Sequence, residues 1–155
     1  MRWFSRRTAC FAALAALLPM SRNAAAQTAN LVGTADAPAV VPLPANRAPD
    51  AVLLDLYVRS YTPPRRGSVE AVVSLGPRGN EMEIGRFAVF PSEPFFAANP
   101  TELRAYRFDA SAAFLAFQGR PLAVQVRLVP TDEKISAEGA KLTLSRVEIT
   151  PRPAN

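Results

Sequence analysis

Hydrophobic and polar residues alternate in several short runs along this chain, and no long run keeps a helical period. In residues 122–129, Leu122, Val124, Val126 and Leu128 fall on one side and Ala123, Gln125, Arg127 and Val129 on the other, the period of two expected of a strand with one buried face. Residues 52–61 repeat the pattern, with Val52, Leu54, Leu56 and Val58 on one face and Leu53, Asp55, Tyr57 and Arg59 on the opposite one. Proline and glycine in 63–67 turn the chain back, and Val69, Ala71, Val73 and Leu75 form the inward set of the next strand, closed by Gly76, Pro77 and Gly79. A hairpin is the expected result.

Two later runs alternate with a change of phase. Met82 and Ile84 share a face that Phe87 and Val89 continue only if one extra residue is inserted, which a β-bulge at Gly85 supplies. Leu142 and Leu144 align with Val147 and Ile149 only across a second bulge near Ser145 and Arg146. Between these runs lies a strand at 104–108, then Asp109, placed to cap a short helix over 110–117 that Gly119 ends. Arg120 and Pro121 turn the chain into the Leu122 strand, and the polar segment 131–141 is a surface loop. Upstream, residues 27–49 contain Pro38, Pro42, Pro44 and Pro49 and suit a linker or an edge-hugging arm, with 39–43 as a short edge strand. Six or seven strands and one short helix predict an all-β fold, an antiparallel β-sandwich or jelly-roll-like barrel, over residues 50–151, with 152–155 as a tail.

Residues 1–26 have the parts of an export signal: Arg2, Arg6 and Arg7, the apolar run 9–18, and Ala24, Ala25 and Ala26 before a cleavage point at Gln27. The apolar run is too short to span a bilayer. Ser5, Arg6, Arg7 and Thr8 followed by Phe11 resemble a twin-arginine signal, the ordinary Sec route being the alternative. The expected location is periplasmic or secreted. Four of the 18 basic residues lie in this signal, which leaves 14 against 13 acidic ones. That balance gives no footprint for nucleic acid or an anionic membrane.

Composition removes further chemistry. The sequence has no histidine, and its one cysteine, Cys10, lies in the signal. A zinc or copper site of the usual kind, a disulfide and a serine or cysteine nucleophile paired with histidine are therefore not expected, and no cofactor is. Glu81 and Glu83, two apart on a strand, are the nearest approach to a carboxylate pair for glycoside chemistry, but Glu-x-Glu on a polar strand face ordinarily serves solvation. The expectation is a protein that is not an enzyme. In the loop 91–102, Phe95 and Phe96 stand among turn formers. They either tuck under the loop against the core or meet a partner.

Five segments carry a family resemblance: LLDLYV from Leu53, EIGRFAVFP from Glu83, RFDASAAFLAF from Arg107, VQVRLVP from Val124 and LTLSRVEI from Leu142. In this order they resemble the carboxy-terminal β-domain that follows the catalytic domain in polyphenol oxidases and tyrosinase-related proteins. In that family, histidines of the neighbouring domain hold the copper atoms, while the β-domain covers the active-site entrance and places a side chain over it until maturation. The resemblance implies a non-catalytic accessory chain that covers or matures a separately encoded type 3 copper oxidase. Phe95 and Phe96, and Tyr61 beside Pro63 and Pro64, are the candidate partner-binding residues. The alternative from another class is a periplasmic β-sandwich binding or structural module for an envelope protein or a glycan, with Tyr57, Tyr61 and Tyr106 as the aromatics that a glycan face would use.

Overall fold

A computed structural model describes residues 31–44, 52–88 and 93–151; the expected export signal at 1–26 and the expected tail at 152–155 lie outside the described residues. Among the described residues, nine strands form two antiparallel sheets with one short helix: β1 Val32–Thr34, β2 Ala39–Pro42, β3 Val52–Thr62, β4 Val69–Gly76, β5 Met82–Ala88, β6 Phe95–Phe96, β7 Arg104–Asp109, α1 Ser111–Ala116, β8 Ala123–Pro130 and β9 Lys141–Pro151. The first sheet runs β1-β9-β3, and the free side of β3 takes β7 over its first half and β6 near its end. The second runs β2-β8-β4-β5. The fold is an all-β sandwich, as the alternation predicts.

The core forms where the two inner faces meet. Leu54, Leu56 and Val58 of β3 and Leu142 and Leu144 of β9 are buried on the same side as Val73, Leu75, Val124 and Val126 of the second sheet. These are the inward sets of the alternating runs, and their burial supplies the main favourable term in folding, roughly 1.5–3 kcal/mol for each large apolar side chain.

The phase changes are bulges. On β5, Glu83 pairs with Ser74 and Gly85 with Val73, leaving Ile84 as the extra residue; Phe87 is thereby turned inward and Val89 lies outside the described residues. On β9, Arg146 pairs with Tyr57 and Leu144 with Val58, leaving Ser145 unpaired. β3 has a third bulge, at Arg59, since Val58 pairs with Leu144 and Ser60 with Thr143. Gly85 has a second role at the seam between the sheets. A Cβ there would lie 2.6 Å from the Phe108 ring, while Phe87 of β5 stacks on Tyr106 of β7 with centroids 3.9 Å apart. Gly85→Ala is expected to cost about 1–2 kcal/mol by overpacking this seam, measured by urea unfolding.

Two expectations need correction, a hairpin over 52–75 and an N-cap at Asp109. β3 lies in the first sheet and β4 in the second, so the turn after β3 crosses between the sheets instead of closing a hairpin. Of the two readings offered for 27–49, the described residues 31–44 form the edge-hugging arm, because β1 pairs with β9 at the edge of one sheet and β2 with β8 at the edge of the other. The edge strand at 39–42 is as expected, but Val32–Thr34 is too short to show a period. The helix spans Ser111–Ala116, and Asp109 caps it from one position further out than an N-cap. Its carboxylate accepts the Ser111 amide at 3.0 Å, and Ala110 is the N-cap. Gly119, at φ 78°, follows the helix as expected.

Candidate functional site

The loop that carries Phe95 and Phe96 is fixed from both sides. On one side, Phe95 pairs with Tyr61 and Phe96 with Ser60, and the Ala97 amide donates to the Arg59 carbonyl at 2.8 Å. On the other, the 3-10 turn Pro100–Glu102 folds back. The Glu102 carboxylate accepts the Ala98 amide at 2.8 Å and the Asn99 side-chain amide at 3.0 Å. These bonds, the Asn99 side chain first, hold the Glu102 carboxyl below the usual carboxylate range.

Alternation on this two-residue strand then separates the phenylalanines. Phe95 turns toward the core and is half-buried, with the Arg104 guanidinium 4.2 Å from its ring centroid. Phe96 points outward and is 64% exposed, with the Arg59 guanidinium 5.3 Å from its centroid. The result is an exposed aromatic side chain on a braced loop with one guanidinium over its ring, a composition enriched where proteins meet.

Tyr61, also a candidate, is a core residue. The bulge at Arg59 advances the alternation by one, so Tyr61 turns inward and is only 3% exposed, and burial pushes its hydroxyl pKa up. Tyr106 is half-buried in the seam against Phe87. Tyr57 lies on the outer face of the first sheet beneath the Arg146 guanidinium, 3.9 Å from its centroid, and donates to Glu148 at 3.2 Å. The three tyrosines thus serve three different surroundings and do not make one aromatic platform.

Beside Tyr57 sits a group that the alternation hides. Asp55 belongs to the outward set of β3, yet it is 4% exposed. Arg107, its partner across the β3–β7 pair, holds both carboxylate oxygens at 2.6 and 2.9 Å, and Thr150 of β9 donates to one of them at 3.4 Å. The Arg107 hydrogen bond holds the Asp55 carboxyl below its usual range against the opposing pull of burial. With Thr150, this pair ties three strands and engages both carboxylate oxygens.

Glu81 and Glu83 are engaged separately. Glu81 accepts the Gly79 amide at 2.6 Å and the Gln125 side-chain amide, whereas Glu83 is bound by Arg86 at 2.7 Å, which lowers its pKa. Glu81 and Gln125, with Pro38, Val40, Pro77 and Arg78, line an open groove of about 820 Å³ along the second sheet and its β4–β5 turn. Among the described residues, no group of three or more Cys, Asp or Glu is arranged to hold a metal ion, and no helix is long and apolar enough to cross a membrane. Comparison with protein-family models, with curated proteins and with solved structures finds no match to this chain.

Proposed function

We propose that this chain is an exported, non-catalytic binding module that docks onto another protein through Phe96 and the Arg59 guanidinium over its ring. The observation that carries this reading is the 64% exposure of a phenylalanine on a loop braced by β3 and by the Glu102 turn. A large apolar side chain held in water costs free energy that a partner recovers on burying it, and a braced loop loses little further freedom in doing so. The family resemblance of residues 50–151 suggests the partner, a separately encoded type 3 copper oxidase whose entrance this domain would cover. The charge balance and the lack of histidine in the sequence agree with a covering role rather than with copper transfer.

The test is capture by the tagged mature domain from a periplasmic extract of its own host, with copper content and diphenol oxidation assayed on the retained protein. A retained copper protein whose oxidase activity rises when the domain is removed supports the covering role. An extract shown to contain such an oxidase, from which none is retained, sinks it. Phe96→Ala is expected to weaken capture at least about tenfold, the loss of one buried aromatic anchor, while leaving the unfolding midpoint unchanged. Loss of folding in that variant would return Phe96 to the core.

The groove on the second sheet favours a second reading, a module that binds an envelope polymer. Binding that survives Phe96→Ala but fails in Gln125→Ala would select it.

A further inference from the structure

Two unlike surfaces lie at opposite ends of the sandwich. β3 ends at Thr62 and the chain passes through 63–68 into β4, so Phe96, beside Ser60, sits at the end where β4 begins. The groove lies at the other end, against Pro77 and Gly79 of the turn that follows β4 and Pro121 just before β8. The faces are opposite too. Ser60 and Phe96 belong to the outer face of the first sheet, since their neighbours Tyr61 and Phe95 turn to the core. Val40 and Gln125, paired with each other, belong to the outer face of the second, since Ala39, Val124 and Val126 turn to the core.

Each surface offers what the other can take. Phe96 is an exposed ring with the Arg59 guanidinium over it. The groove has apolar walls in Pro38, Val40, Pro77 and Pro121, and Glu81 in its lining. Glu81 uses Oε1 for both the Gly79 amide and the Gln125 side chain, so among the described residues Oε2 accepts no hydrogen bond. The charges match as well. Arg65, Arg86, Arg107 and Arg146 each have a carboxylate partner, whereas among the described residues Arg59, Arg78, Glu81 and Glu93 make no ion pair. The exposed Glu93 precedes Phe96 on its loop, and Arg78 lines the groove. Ring, cation and carboxylate on one surface thus answer apolar walls, carboxylate and cation on the other, the kind of match that orients one protein on another.

We infer that the groove takes Phe96 of a second copy of this chain, with Arg59 of the incoming copy meeting Glu81 and its Glu93 answering Arg78. The inference rests on the reading that Phe96 is a docking side chain, and it names an occupant for the groove. Because Phe96 and the groove lie on opposite faces at opposite ends, two copies cannot exchange them reciprocally. Each contact leaves one Phe96 and one groove free, so copies add head to tail. One aromatic ring and exposed ion pairs make a small contact, so the association depends on concentration and yields to a partner that buries the same ring in a larger surface.

Sedimentation velocity on the purified protein tests this. Its weight-average mass is expected to rise at least about 1.5-fold between about 10 μM and about 1 mM, the range in which so small a contact forms. Phe96→Ala and Val40→Lys are each expected to stay single chains over that range, the first for want of the ring and the second because a cation enters the groove. Mixed in equal amounts, they are expected to form a species of two chains and none longer, since one supplies the groove and the other supplies Phe96. Unfolding midpoints show that each variant is folded; if Val40→Lys is not, Gln125→Lys blocks the same groove from the neighbouring strand. A parent that stays a single chain throughout overturns the inference. So does association that Phe96→Ala leaves unchanged, which puts another surface between the copies, and so does a mixture of the two folded variants that stays single chains. The partner reading is decided separately by the extract. Capture that depends on Phe96, without self-association, overturns this inference alone, and self-association with no oxidase retained overturns the partner reading alone.

Discussion

Tyr61→Ala is expected to lower the unfolding free energy by about 3–5 kcal/mol, the range for removing a buried aromatic ring together with the cavity it leaves. The ring is 3% exposed and packs in the central cluster, at the point where β6 joins β3. Tyr61→Phe is expected to cost less than about 1 kcal/mol, because it keeps the ring and its packing. Urea unfolding of the two variants side by side makes the comparison. Equal stability of Tyr61→Ala and the parent would place the ring outside the core and restore it as a binding candidate. If the expected loss is seen, any effect of Tyr61→Ala on partner capture follows from instability. Phe96 then remains the variant that reports on binding alone.

Why Tyr61 was misplaced by alternation, when its neighbours were not, has a physical cause. Val52, Leu54, Leu56 and Val58 keep one phase, which by itself puts Tyr61 on the side of Tyr57 and Arg59. The bulge at Arg59 is the response of β3 to its partner, since Ser145 bulges from β9 at nearly the same level. A phase jump between apolar residues betrays the bulges at Ile84–Gly85 and Ser145, but Arg59 is followed by Ser60, which carries no phase. Only the pairing determines it. The same holds for Asp55. Its carboxylate is buried by Arg107 and Thr150, residues 52 and 95 positions away, and no local pattern announces them.

The candidate surface was legible to the same depth. Two phenylalanines among turn formers stand out in the sequence, and the alternatives of core and contact were both open for them. The structure separates the two: Phe95 leans on the core and Phe96 is exposed. What decides between them is the register of a two-residue strand, fixed by the Ala97 amide on Arg59 and by Glu102 from the far side. Val32–Thr34 lies at the other limit. Three residues with a central glycine have no period to read, and their place in the first sheet follows from β9.

Asp55 should make the stability of this domain depend on acid in a way that one variant flattens and another reverses. Its carboxyl is held below the ordinary value of 3.8, first by the Arg107 hydrogen bond. A depressed folded pKa means that the unfolded chain takes up the proton first. The stabilisation is therefore complete above about pH 4 and is lost as pH falls through the folded value. Asp55→Ala is expected to cost about 2–3 kcal/mol at pH 7, the range for losing charge-assisted hydrogen bonds to a buried group. Asp55→Asn is expected to cost less and to flatten the fall in stability below pH 4. Arg107→Gln should act in the opposite sense. It leaves the carboxylate between β3 and β9 without its cation, so burial, opposed only by the weaker Thr150 hydrogen bond, raises the Asp55 pKa above the unfolded value. That variant is then penalised most at neutral pH and recovers relative to the parent as acid neutralises Asp55. Unfolding midpoints of the parent and the three variants between pH 3 and 7 make the test. If Arg107→Gln and the parent stay separated by a constant interval across that range, the Asp55–Arg107 pair does not hold these strands together through its charge.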